Sequence, residues 1–154
     1  MVRLFIDGDA FPNLLKPIIL RTIERLQIAT CVIANKKISL GASCRHVTYT
    51  IVEQGADVAD AVIIDLVHEG DLVITADIPL ADAVITKKAY AIDHRGELYS
   101  VDNIKQYLAM RNLMEAIRES GEPTKGPKPF SQKDAHAFAN QLNALLAKRY
   151  PAAH

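Results

Sequence analysis

Cysteine, long apolar runs and net charge are all scarce in this chain. Its 154 residues include two cysteines, Cys31 and Cys44, which lack the close spacing of zinc ligands. So few thiols are typical of a reducing compartment. No apolar stretch approaches the roughly 20 residues that cross a bilayer, which argues against a membrane span. The N-terminus, MVRLFIDGD, has no basic region followed by an apolar run, so we expect no signal peptide and a cytoplasmic location.

The net charge is zero, but the charges are unevenly distributed. Residues 1–102 contain 10 Lys and Arg against 14 Asp and Glu, whereas residues 103–154 contain 8 against 4. Asp also outnumbers Glu, 11 to 7. Because the short Asp side chain holds its carboxylate close to the backbone, an excess of Asp indicates turns, helix caps or a cluster of acids.

Short apolar segments alternate with helical patterns along most of the chain. The predicted strands are Val2–Ile6, Ala29–Ala34, Val47–Val52, Leu72–Thr75 and Ala89–Ile92. The predicted helices are Asn13–Leu26, Asp57–His68, Pro79–Lys87 and Asp102–Glu119. This alternation predicts an α/β three-layer sandwich with a mainly parallel central sheet in the order 3-2-1-4-5. Residues 93–100, DHRGELYS, are predicted to form a loop or a hairpin.

The C-terminal third is expected to belong to the same domain. The length of the whole chain suits one domain, so we predict a single unit over residues 1–154. Residues 120–131 are rich in Gly, Pro and Lys and predict a loop. Ser131 and Asp134 have the spacing of a capping box and predict a final helix at about 132–148 that packs back on the sheet. The apolar face of that helix contains Phe138, Leu142, Leu145 and Leu146.

Three pairs of acids are expected at one edge of the sheet. The pairs are Asp7 with Asp9, Asp57 with Asp60, and Asp77 with Asp82. The first and third pairs follow the first and fourth strands, which are neighbours in the expected order. The middle pair opens the helix before the fourth strand, and a spacing of three places both acids on the same side of its first turn. Ligands of open parallel sheets bind outside the carboxyl ends of the strands, where these six carboxylates would converge.

Such a cluster is costly unless a cation neutralises it, because neighbouring carboxylates repel each other. Mg²⁺ and Mn²⁺ prefer hard oxygen ligands, and pairs of such ions assist phosphodiester hydrolysis. The acids therefore predict a Mg²⁺ or Mn²⁺ site for phosphoryl hydrolysis. Each acid also has an alternative interpretation: Asp57 and Asp60 as helix caps, the DGD segment as an ordinary turn, Asp77 as a cap, and Asp82 as a surface residue.

Several motifs together resemble the YaiI/YqxD family of small bacterial proteins. The motifs are LFIDGDAFP, GADVADAVI, DLVITADIPLADAVI and KGPKPFSQKDAHAFANQLN. They follow one another in order over nearly the whole chain. The family in turn is similar to the PIN-like nuclease superfamily, in which acids after the first and fourth strands bind Mg²⁺ or Mn²⁺ and cut RNA.

The resemblance implies roles for individual residues. Asp7 stands at the first acid of the superfamily, and Asp57 or Asp60 at the acid of the central helix. Thr75 and Asp77 match the Thr-x-Asp element after the fourth strand, while Asp82 matches the last acid. Asp7 and Asp77 would be catalytic, all six acids would hold metal, and water would be the nucleophile. The Asp pair departs from the Glu that many PIN domains carry, and the GPKPF segment has no counterpart there.

Substrate contacts are expected from Thr75, Lys36, Arg45 and Lys128, since phosphate contacts dominate nucleic-acid affinity. For each cation, a solvated surface position is the alternative. The histidines show no metal-like pairing and receive no role. The expected partner is therefore RNA, with no membrane involved.

Two other functions compete with a nuclease. FIDGDA resembles the Asp-x-Asp start of haloacid-dehalogenase-type phosphatases, in which Asp7 would be a covalent nucleophile and Asp9 a general acid. Against this function, no suitable Ser or Thr follows the second strand, and the chain leaves no room for a cap domain. The other competitor is a PIN-like module that binds RNA or a partner protein without catalysis.

Overall fold

The structure, a computed structural model, describes residues 2–41, 43–55, 57–122 and 128–149. Within these ranges the strands are β1 (Leu4–Asp7), β2 (Thr30–Ala34), β3 (Val47–Ile51), β4 (Leu72–Ile74), β5 (Tyr90–Ile92) and β6 (Leu98–Tyr99). The helices are α1 (Lys16–Leu26), α2 (Val58–Leu66), α3 (Ile78–Thr86), α4 (Ile104–Glu119) and α5 (Gln132–Arg149). None of the helices in those ranges has the length and apolar character needed to cross a membrane.

The strands form one mixed sheet in the order β3-β2-β1-β4-β5-β6. The first five strands pair in parallel, which confirms the predicted order, and β6 pairs antiparallel with β5. The hairpin prediction for residues 93–100 is therefore confirmed. The hairpin closes through a hydrogen bond from the Asp93 backbone N–H to the Glu97 carbonyl, at 2.9 Å.

Helices cover both faces of the sheet, so the three-layer prediction is confirmed. Successive residues of β1 point to opposite faces: Leu4 and Ile6 pack under α1 and α5, whereas Phe5 packs under α2 and α3. Both faces of each central strand are buried, which explains why these strands appear as continuous apolar runs rather than alternating ones. The first residues of α4 also belong to the second face.

Local sequence explains where two of the helices begin. A 3-10 turn at Asn13–Leu15 precedes α1, as expected from Pro17, which cannot donate a backbone hydrogen bond. Before α5, the Ser131 and Asp134 side chains exchange hydrogen bonds with each other's backbone N–H groups, at 3.0 and 3.3 Å. The predicted capping box is confirmed. The loop predicted at 120–131 includes residues 123–127, which lie outside the described residues.

The hairpin between β5 and β6 packs closely against α5 through a glycine. Gly96 has φ +90°, and a Cβ atom at this position would lie 2.6 Å from the Ala137 carbonyl oxygen. Gly70 has a similar φ of +88°, but a Cβ atom there would meet nothing within 4 Å. The two positions therefore share the backbone strain and differ in the space available for a side chain.

We predict that Gly96→Ala lowers the free energy of unfolding more than Gly70→Ala. The strain of a left-handed alanine costs about 1–2 kcal/mol at both positions. At Gly96 the hairpin must also move away from α5, because the clash is with backbone. Urea denaturation with matched m-values measures the difference. Equal losses for the two variants would contradict the close packing between hairpin and helix.

Candidate functional site

A cavity of about 360 Å³ opens at the carboxyl ends of the parallel strands. Five aspartates line it: Asp7, Asp9, Asp57, Asp60 and Asp77. The other lining residues are Ala10, Asn35, Gly55, Ala59, Ala76 and His94. The structure thus brings five of the six predicted acids to one place, at the edge of the sheet where the sequence predicted them.

Asp7 ends β1 and is held by a neighbouring strand. Its carboxylate accepts a hydrogen bond of 2.9 Å from the hydroxyl of Thr75, which directly follows β4. The same hydroxyl accepts a 3.0 Å hydrogen bond from the backbone N–H of Asp77. Thr75 is fully buried, so one hydroxyl joins the ends of both central strands and orients the two acids that follow them.

Asp9 belongs to the turn after β1, and a glycine places that turn against β2. A Cβ atom on Gly8 would lie 3.0 Å from Cβ of Ala34. The Gly8 backbone N–H donates to the Ile33 carbonyl at 2.8 Å. Asp9 in turn accepts a 3.0 Å hydrogen bond from the backbone N–H of Asn35. The segment is therefore a turn that also fixes the position of an acid.

Asp57, Asp60 and Asp77 form the closest group of acids. Each offers a carboxylate oxygen, and the three oxygens lie within 4.8 Å of one another. Asp57 occupies the N-cap position of α2 with φ 66°, but its side chain makes no capping hydrogen bond. The capping interpretation is therefore wrong for the Asp57 side chain. Asp77 does cap its helix, because it accepts a 3.0 Å hydrogen bond from the Leu80 N–H, and it joins the group as well.

Burial and mutual repulsion perturb two of these acids. Burial, together with the charge and the nearby carboxyl of Asp77, raises the pKa of Asp60 to about 7. Burial also raises the pKa of Asp7, and the Thr75 hydrogen bond offsets part of that effect. A cluster in this state holds a proton near neutral pH unless a cation takes its place.

The donors of this group fit a hard divalent cation. They are carboxylate oxygens, and the group includes no thiolate or imidazole. Such a set suits Mg²⁺ and Mn²⁺ better than Zn²⁺, whose sites usually contain Cys or His. A water takes up about 30 Å³ in the liquid, so the cavity is larger than an ion and its water ligands alone need.

Other predicted site residues lie elsewhere. Asp82 is half-buried, one turn further along α3, and does not line the cavity. Thr75 has no exposed surface, and its hydroxyl is engaged in hydrogen bonds with Asp7 and the Asp77 N–H. Arg45 precedes β3 and lines a separate cavity at the opposite end of the strands, where the parallel strands begin.

Lys36 and Lys128 are also outside the acidic cavity. Lys36 is exposed and lines a small cavity beside Tyr49 and Ile51 of β3. Lys128 is exposed, and its carbonyl accepts a hydrogen bond from the Arg95 guanidinium. Of the four predicted substrate contacts, Thr75 reaches the acids through its hydrogen bond to Asp7, whereas the three cations do not line the acidic cavity.

His94 lines the cavity, although the sequence indicated no role for it. It lies two residues after the end of β5, next to Asp93, and it is 9% exposed. Burial, and secondarily the charge of Arg95, lowers the pKa of His94 to about 4, so the imidazole is neutral near pH 7. The available signal was its position: like Asp7 and Asp77, His94 comes just after a parallel strand, at the same edge of the sheet.

One family model and several curated proteins match most of this chain. The family model described as "Uncharacterized BCR, YaiI/YqxD family" matches residues 5–148. A "UPF0178 protein" of Sulfurimonas denitrificans is 72% identical over 147 residues, 96% of this chain and 97% of that protein. A UPF0178 protein of Marinomonas is 53% identical over 148 residues, 96% of this chain and 99% of that protein.

One solved structure also matches, at a low level. It is the homospermidine synthase of Legionella pneumophila in complex with NAD, with 14% sequence identity and a TM-score of 0.46. The match covers 82% of this chain and 36% of that one. At this level of similarity we draw no conclusion from it about fold or function.

We predict that Asp60→Asn raises the free energy of unfolding of the metal-free protein. This gain should grow as the pH rises from about 4 to 7. The folded protein retains a proton at Asp60 that the unfolded chain has released, so Asp60 lowers the free energy of unfolding between about pH 4 and 7. An amide carries no charge and removes this loss. The measurement is urea denaturation in EDTA at several pH values.

Asp65→Asn is the matched control, because Asp65 lies on the same helix but is exposed and does not line the cavity. His94 contributes a pH dependence of opposite sign between about pH 4 and 6.5, since its pKa is lowered. The informative quantity is therefore the difference between each variant and the unmodified chain. If Asp60→Asn and Asp65→Asn show the same difference at every pH, burial and repulsion do not raise the pKa of Asp60 in the folded protein.

We predict that Thr75→Val weakens both the fold and the cation site, whereas Thr75→Ser weakens the site little. Valine has nearly the shape of threonine but leaves Asp7 and the Asp77 N–H without their shared partner, at a cost of about 1.5–3 kcal/mol. Serine keeps the hydroxyl and loses one methyl group, at a cost of about 1 kcal/mol. Urea denaturation and calorimetry with Mn²⁺ measure the two effects. Equal Mn²⁺ affinity in both variants would mean that the hydroxyl does not position the acids.

Proposed function

The chain belongs to the YaiI/YqxD family, and we propose that it is a Mg²⁺- or Mn²⁺-dependent nuclease of PIN-like type that hydrolyses RNA phosphodiesters. The observation that carries the proposal is the group formed by Asp57, Asp60 and Asp77, whose oxygens lie within 4.8 Å of one another. The motif resemblance supports the substrate class.

The roles of the acids follow from their surroundings. Asp57, Asp60 and Asp77 would hold the cation, since their carboxylate oxygens lie within 4.8 Å of one another and the Asp57 side chain makes no capping hydrogen bond. Asp7 and Asp9 are each held by a hydrogen bond from the protein, which orients them toward the same cavity. A bound divalent ion would supply a lowered pKa for a water nucleophile and would neutralise charge on the phosphate.

The charge of the cavity makes phosphate binding depend on the cation. Among the described residues, five carboxylates line the cavity and no Lys or Arg does. A phosphodiester is an anion, so repulsion excludes it from the metal-free cavity. A bound divalent cation reverses the sign of that interaction where the acids converge. The same ion would then serve both substrate binding and hydrolysis.

The remaining space is consistent with a substrate. The cavity is about 360 Å³ and open to solvent, while Asp57 is exposed at its mouth. This leaves room for a phosphate group and a nucleophilic water next to the ion. Asp82 is not needed for this arrangement, so we leave it out of the proposed ligand set.

We predict that Asp77→Asn abolishes Mn²⁺-dependent RNA cleavage while the protein stays folded. Asn caps helices as well as Asp does, so the hydrogen bond to the Leu80 N–H is retained. The change removes one negative charge from the group, and we expect activity to fall about 100-fold or more. Cleavage of a labelled RNA with Mn²⁺ and with EDTA measures activity, and thermal unfolding measures the fold.

Asp65→Asn serves as the control and should cleave as the unmodified chain does. Unchanged cleavage by Asp77→Asn would refute the assignment of this residue. Calorimetry with Mn²⁺ separates the remaining possibility: a chain that binds RNA and no divalent ion, and cleaves nothing, is a binding module. Such a result would replace the nuclease proposal.

A further inference from the structure

His94 lines the acidic cavity, and its environment fixes it there. Its ring makes an edge-to-face contact with Phe11, with the ring centroids 5.5 Å apart and an interplanar angle of 87°. Phe11 is itself 7% exposed, so the contact is internal. The imidazole therefore has a defined position among packed groups, rather than the freedom of a surface histidine.

The residues on both sides of His94 are also held. The Asp93 carboxylate accepts hydrogen bonds of 2.8 Å from the backbone N–H groups of Arg95 and Glu97, which fix the turn. The Arg95 guanidinium pairs with Asp134 of α5 at 2.7 Å and lies 5.6 Å from the centre of the Phe130 ring. The β5–β6 turn is thereby held to the helix, and His94 is presented by a rigid segment.

The protein leaves part of this imidazole unsatisfied. Nε2 of His94 is buried, and no described residue hydrogen-bonds to it. A buried polar atom without a partner is unfavourable, so such atoms are rare and call for an explanation. Because the ring lines the cavity, a bound ligand is the partner that the protein itself does not supply.

The ion itself is a poor candidate for that partner. The group of potential ligand atoms within 4.8 Å of one another contains three carboxylates and does not extend to His94. The imidazole therefore lies beyond the group that would hold the cation. A molecule that spans from the ion to the His94 imidazole is the better match.

Building on the proposed function, we propose that His94 hydrogen-bonds to a phosphoryl oxygen of the substrate while the cation is held by the acids. A neutral imidazole has one N–H donor, and a phosphoryl oxygen is an acceptor. Five carboxylates would repel this anion elsewhere in the cavity, and His94 and Asn35 are the lining side chains with a neutral N–H donor. Of these two, His94 has the buried nitrogen that lacks a partner among the described residues. The ligand chemistry is that of a phosphate monoester or a diester.

The test follows the imidazole nitrogens of His94 by ¹⁵N NMR in the full chain. The probes are Mg²⁺ alone, then Mg²⁺ with dimethyl phosphate, and Mg²⁺ with inorganic phosphate. His94→Phe identifies the resonances, since phenylalanine keeps the packing against Phe11 and removes both nitrogens. We expect Mg²⁺ alone to leave the His94 nitrogens unchanged and a phosphate compound to shift one of them. A shift with the diester alone identifies a diester site, and a shift with inorganic phosphate alone identifies a monoester site.

Calorimetry provides the second readout. His94→Phe should bind Mg²⁺ as the unmodified chain does and bind the phosphate probe roughly fivefold more weakly, as for one lost hydrogen bond. His136→Gln is the control, because His136 is exposed and lines a different groove. It should change neither affinity.

The possible failures are distinguishable. A His94 shift with Mg²⁺ alone would make the imidazole a metal ligand and overturn the phosphate contact. Mg²⁺ binding without any phosphate-dependent shift would overturn the role of His94 and leave the metal site intact. If the unmodified chain binds no divalent ion, the proposed function fails first and the phosphate contact fails with it.

Discussion

The hydroxyl of Thr75 joins the two central strands of the sheet at the point where both end. It donates to Asp7 after β1 and accepts from the Asp77 N–H after β4. Asp77 then caps α3 by accepting a hydrogen bond from the Leu80 N–H, so the start of that helix also depends on Thr75. The pairing of two strands, the start of a helix and the orientation of two acids are thus coupled through one buried side chain. A loss of the hydroxyl disturbs all of them together, because no solvent reaches this position to replace it.

The clustered acids lower the stability of the metal-free fold. Burial and mutual repulsion raise the pKa values of Asp7 and Asp60, which means that the charged cluster is unfavourable without a cation. Two lining residues other than glycine, Ala10 and Asp57, also have positive φ, a conformation that costs free energy in L-residues. Strain and repulsion concentrated in one cavity are typical of functional sites, where the rest of the fold compensates for them. Here the compensation comes from the two apolar layers on either side of the sheet.

The sequence predicted the sheet well because each central strand is buried on both faces and therefore forms a distinct apolar run. Strand β6 was harder, since two residues of an edge hairpin carry almost no pattern. The acids were predicted by a topological rule, and the rule succeeded for acids in the turns and first helical turns that follow β1, β3 and β4. It did not extend to Asp82, because that residue lies inside α3 and its direction depends on the rotation of the helix rather than on the strand.

Arg45 and His94 show that the topological rule depends on which end of a strand a residue lies at. Arg45 was predicted to contact the substrate, but it lies just before β3, at the end of the sheet where the parallel strands begin. Counting along the loop does not show this, since the loop crosses from one edge of the sheet to the other. His94 was set aside because a single histidine carries no spacing signal. Its burial and its contact with Phe11 depend on residues far apart in the chain, which become neighbours only once the sheet is assembled.

The distribution of charge in the cavity constrains which functions are compatible with it. A module that binds RNA without metal needs cations where the phosphates lie, and the described lining of this cavity provides five carboxylates and one neutral imidazole instead. In the proposed function, a phosphate at this position would therefore depend on a divalent ion for its binding energy. The same ion would also polarise the phosphate, so binding and hydrolysis would share a single requirement. If phosphate binding is measured at this cavity, its dependence on the cation will distinguish the proposed nuclease from a binding module whose RNA contacts lie elsewhere on the surface.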